Sequence, residues 1–103
     1  MIFHILFNYN QLKKIMDERI QKIMEEKIHE SMGRISEVTS LINSLGQAKN
    51  PNEFGHGIII GRLYNSFYYQ SRRILKRNPT EQEFSEFIQL LKEHENELEV
   101  SFS

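Results

Sequence analysis

Glu26-Lys27-Ile28-His29 is an E-x-x-H pair, which on a helix brings a carboxylate and an imidazole within reach of one metal ion. Di-iron bundles use two such pairs with further glutamates; this chain has one, so a solvated helix face is the reading taken. His29-Glu30 has no second histidine at the spacing of a zinc protease. Gly55-His56-Gly57 with Gly61 has the glycines of a phosphate loop but neither a preceding strand nor the lysine. His56 is expected as a packed or interface side chain beside an apolar stripe, and His94, in a run of glutamates, at the surface. No nucleophile elbow, P-loop or dinucleotide fingerprint occurs. With no cysteine, disulfides, thiolate metal sites and cysteine nucleophiles are excluded together. The expectation is a non-enzymatic protein with no metal, no cofactor and no small-molecule substrate.

Charge supplies the one chemical asymmetry. Residues 54–80 contain Arg62, Arg72, Arg73, Lys76 and Arg77 and no acid, whereas residues 81–103 contain seven glutamates against Lys92 alone. Residues 1–53 hold seven charges of each sign, and the chain carries a formal net charge of −1. On one helix face, Arg62, Arg73, Lys76 and Arg77 can follow a phosphate backbone while Tyr69 stacks on a base. Two structural readings compete with nucleic-acid binding. The acidic last helix can pack beside the basic one and neutralise it, and cations at 72–77 suit the negative end of a helix dipole. The near-neutral total also weighs against a nucleic-acid binder.

The elements that position these residues are helical. Leu12, Met16, Ile20, Met24, Ile28, Ile35, Val38, Ile42 and Leu45 recur in steps of three and four, with Ser31 filling the one longer step. This stripe predicts a first helix over 9–46, with Gly46 as its C-cap and Gly33 as a point of kinking. Asn50-Pro51-Asn52-Glu53 and Thr80-Glu81-Gln82-Glu83 write two further helix starts: N-cap and N1 proline in one, a capping box in the other. The second helix is expected over 51–77 and the third over 80–98, the latter with Phe84, Phe87, Ile88, Leu91 and Leu98 on one face. The fold class is all-α, a single domain of three helices.

A first helix of about 38 residues would extend about 57 Å, while a compact domain of about 100 residues has a radius of gyration near 13 Å. Either that helix breaks at Gly33 or a second chain covers part of it. Ile58 and Ile59 make the start of the second helix apolar almost all round, and Gly57 with Gly61 forms a small-x-x-x-small pair suited to close backbone approach. A homodimer forming a helical bundle is therefore expected, with Ile20, Met24, Ile28, Gly57, Ile58, Ile59 and Gly61 at the interface.

Residues 1–8 are read as an apolar N-terminal extension, or as extra residues ahead of a start at Met16 or Met24, because they lack a basic segment and a cleavage site. No apolar run reaches the length of a membrane span, and the expected location is the cytoplasm. Two roles stay open: self-association or protein–protein interaction through helix faces, and nucleic-acid binding through Arg62, Tyr69, Arg73, Lys76 and Arg77.

Overall fold

The computed structural model describes residues 15–46, 49–99 and Phe102. Among these, helices α1 (Glu18–Met32), α2 (Ile35–Leu45), α3 (Pro51–Leu75), α4 (Glu81–Glu93) and α5 (Glu95–Leu98) are the regular elements. The class is all-α, but the expected count of three helices is corrected to five among the described residues. The apolar extension and Leu12 lie outside the described residues.

Helix α1 begins at Glu18, and the part of the expected first helix over 9–14 lies outside the described residues. The Asp17 carboxylate accepts the N–H groups of Arg19 (2.8 Å) and Ile20 (3.4 Å), satisfying donors that the first turn leaves open. The Arg19 guanidinium closes back on Asp17 at 2.8 Å. That bond, with the two N–H donors, holds the Asp17 carboxyl down at about 2. Ile20, Met24, Ile28 and Ser31 form the buried face of α1.

The break falls where a kink was expected, and it is complete. Gly33 and Arg34 donate to the carbonyls of Glu30 (3.0 Å) and Ser31 (3.1 Å), a tightened turn that ends the α-helical ladder. The buried Ser31 hydroxyl donates to the Lys27 carbonyl at 3.0 Å, which satisfies it and favours bending. Helix α2 then buries Val38 and Ile42 and packs on α3, as does α1. One long stripe thus becomes two short rods on the same neighbour. Gly46 closes α2 at φ +64°, a conformation that favours glycine.

Helix α3 starts where its signal placed it, with the Asn50 side chain accepting the Glu53 N–H at 3.1 Å and Pro51 in the first turn. It ends at Leu75 instead of 77, because Lys76 adopts φ +61° and terminates it. Thr80 and Glu83 complete a reciprocal capping box for α4. The run expected over 80–98 is divided at His94, whose N–H donates to the carbonyls of Leu90 and Leu91, both at 3.2 Å.

Helix α3 packs most closely on α1, and it meets α4 through aromatic rings. The Phe67 and Phe87 rings stack at 4.5 Å with only 3° between their planes. Beyond α5 the Phe102 ring is buried over Gly55, where any Cβ would collide with it. The Phe102 N–H donates to Asn52 Oδ1 at 2.8 Å, and the ring meets His56 edge-on. The described residues extend 54 × 34 × 21 Å with a radius of gyration of 16.3 Å. They form an elongated helical layer whose α3 helix keeps one side open.

Candidate interaction surfaces

The residues expected at an oligomer interface divide by burial within the chain. Ile20, Met24, Ile28 and Ile59 are buried inside the chain itself. The break at Gly33 is the physical reason, since it folds the apolar stripe onto α3. Ile58 is half-buried and lines a cleft of about 380 Å³ with Ser31, Val38, Leu41 and Arg62. Gly57 and Gly61 are respectively exposed and half-buried, and a Cβ on either would meet nothing within 4 Å. No backbone approaches that pair within the described chain.

Ile15, Met32, Leu41, Leu45 and Phe54 are exposed singly along the described chain, and a further apolar set lies along the seam of α3 and α4. Ile60, Tyr64 and Ile88 are 37%, 43% and 39% exposed. Tyr64 contacts Tyr68 and Phe84 edge-on, with ring centroids 5.1 and 6.1 Å apart. The hydrogen bond to Tyr64 pushes the Tyr68 hydroxyl up. Ile60, Ile88, Leu91 and Leu98 line a groove of about 340 Å³ beside this aromatic set. Glu95 and Glu99 stand at the groove with Lys92 and His56. On helical spacing Ile60 falls beside Leu63, Phe67 and Ile74 on α3, and Ile88 is expected on the apolar face of its helix. Each sits at a stripe edge, and neither α1 nor α2 reaches over that side.

The basic face is mostly uncovered. Arg62, Tyr69, Arg73 and Lys76 are exposed, Tyr69 at 57%. Arg73 donates to Gln70 Oε1 at 2.9 Å, a neutral partner that leaves its charge available. Arg77 is the exception. Its guanidinium forms a two-pronged pair with the buried Glu83 carboxylate at 2.7 and 3.1 Å. Those bonds hold the Glu83 carboxyl below its usual range and push Arg77 up. The acidic helix therefore neutralises one cation of the set rather than the face. The reason is rotational: Arg62, Tyr69 and Arg73 lie within roughly 40° of one another on α3, opposite Ile60 and Tyr64, at 3.6 residues per turn.

The histidines resolve into structural partners. His29 turns away from the E-x-x-H arrangement and meets Glu97 Oε2 at 2.7 Å. His94, expected at the surface, is half-buried with Nδ1 2.8 Å from Glu97 Oε1. Glu25 lies 4.0 Å from its other nitrogen. The hydrogen bond from His94, with the nearby His29, holds the Glu97 carboxyl low. This cluster clips α5 to α1. Among the described residues no three His, Asp or Glu side chains are grouped to hold a metal ion. No helix among them is long and apolar enough to cross a membrane.

Comparison with protein-family models, with curated proteins and with solved structures returns no match.

Proposed function

We propose that this protein works as a non-enzymatic interaction module that self-associates through the α3–α4 seam. The supporting observation is the open apolar and aromatic surface of Ile60, Tyr64 and Ile88 beside the groove. Apolar and aromatic side chains left in water together beside a groove are the kind of surface that another protein buries. Two copies are the smallest assembly it can build. Light scattering on the full chain at roughly 100 µM, a concentration that populates even weak contacts, is the test. The expected mass exceeds the 12.3 kDa of one chain and returns to it in an Ile60→Glu/Ile88→Glu variant. A wild-type protein that stays at one chain overturns the proposal.

A second reading, nucleic-acid binding, draws on Arg62, Tyr69, Arg73 and Lys76, which keep their exposure with no carboxylate paired to them among the described residues. It leads to salt-sensitive binding of a duplex or single strand that Arg73→Glu/Lys76→Glu abolishes. Binding that ignores those two changes removes it.

A further inference from the structure

The open groove and the open basic face complement one another, and they lie on different sides of α3. The groove offers apolar walls from Ile60, Ile88 and Leu91 with the Glu95 and Glu99 carboxylates at its edge. Lys92 and His56 also stand there, so carboxylates outnumber the one ammonium. The basic face offers the reverse: an exposed aromatic knob, Tyr69, flanked by Arg73 and Lys76. Tyrosine and arginine are the side chains that most often anchor protein contacts, because one end is apolar and the other polar. Neither surface finds its match within its own chain, where Arg77–Glu83 is the ion pair joining the basic segment to the acidic one among the described residues.

We propose, resting on the self-association reading above, that the occupant of the groove is the basic face of a second copy. Tyr69 of one copy enters between Ile60 and Ile88 of the next, and Arg73 and Lys76 meet Glu95 and Glu99. The contact is head-to-tail. A closed two-fold pair needs both surfaces to face the same partner, and their placement on different sides of α3 favours a head-to-tail contact instead. Each added copy therefore presents a fresh groove or a fresh basic face, and growth continues beyond two. A nucleic acid competes for the same cations, but it cannot use the acidic edge of the groove, whereas a second copy satisfies both surfaces at once. The chain's small net charge also favours its own kind over a polyanion.

The experiment is sedimentation velocity on the full-length protein, with circular dichroism to verify helix content. The wild type is expected to gain mass with concentration past two copies and to lose it in high salt. Tyr69→Ala weakens assembly at least about tenfold, the scale of an interface anchor. Arg73→Glu/Lys76→Glu and Glu95→Lys/Glu99→Lys are each monomeric alone, because like charges now meet. Mixed together they assemble again, since the acidic face of the first fits the basic groove of the second. A mixture that stays monomeric overturns the proposal. So does assembly of Arg73→Glu/Lys76→Glu at wild-type strength. If Ile60→Glu/Ile88→Glu alone dissolves that assembly, the seam remains the interface and the head-to-tail arrangement falls. A monomeric wild type removes both proposals. Loss of duplex binding in Arg73→Glu/Lys76→Glu with assembly unchanged assigns the basic face to nucleic acid and overturns this one.

Discussion

Glu83 accepts three hydrogen bonds on one carboxylate. It accepts the Thr80 N–H at 2.8 Å, accepts two bonds from Arg77, and does so while almost fully buried. Each bond stabilises the charged form, and together they outweigh the cost of burial, so the carboxyl is held below its ordinary 4.5. A depressed native value means stability that is full above that ordinary value and is lost as pH falls through the lower native one. Glu83→Ala removes the back half of the capping box and leaves Arg77 without its carboxylate. The expected loss is about 2 kcal/mol in urea unfolding at neutral pH, from one cap and one charge-assisted pair. The difference between variant and wild type shrinks in acid, where the wild-type carboxylate is itself protonated. A difference that is constant with pH would show that the charge contributes nothing.

At the scale of elements, the helix boundaries that were legible are those written by local chemistry. Asn50-Pro51 and Thr80-x-x-Glu83 need only their own neighbours to cap a helix, and Gly46 needs only its left-handed turn. The break after Met32 was legible as a place but not as an event. Gly33 sits at φ −78°, and a Cβ there would lie 3.5 Å from the Glu30 carbonyl oxygen, an ordinary contact. Glycine is thus not what forces the break. The fold does, because Val38 and Ile42 reach α3 only if the rod ends. The seating of Phe102 on Gly55 and the meeting of His29 with Glu97 join residues far apart in sequence, and no local pattern announces them. Ile88 misled for a related reason: periodicity names an apolar face but not how much of it a neighbour will cover. Lys76 shows a local cost that only the backbone reveals. It closes α3 in the left-handed region, where a side chain is strained and glycine is at ease. Lys76→Gly is expected to raise stability by about 1 kcal/mol, seen as a higher urea midpoint. Under the head-to-tail arrangement the same change weakens assembly, so one substitution moves fold and association in opposite directions.

For the whole molecule, the two proposals separate what salt does to the fold from what it does to the assembly. The core rests on apolar burial, Phe67 on Phe87 and the α1 stripe against α3, which added salt does not weaken. The surface ion pairs, such as Arg34 with Glu37 at 3.1 Å, are exposed and each is worth less than about 1 kcal/mol. Unfolding free energy is therefore expected to move by no more than about 1 kcal/mol when ionic strength rises from about 0.05 M to about 0.5 M. Association between a basic face and an acid-edged groove behaves differently. The attraction that aligns the two copies acts over the Debye length, which shrinks to a few ångströms across that range. Encounter slows and the exposed pairs weaken, while the Tyr69 knob and the apolar walls keep their share. The expected pattern is a nearly salt-independent urea midpoint, measured on dilute monomer, beside a steep fall in sedimenting mass. If both fall together, assembly is part of the fold's stability. If the mass holds in high salt and the Ile60→Glu/Ile88→Glu variant still abolishes it, the seam closes by apolar contact alone and the charged faces belong to another role.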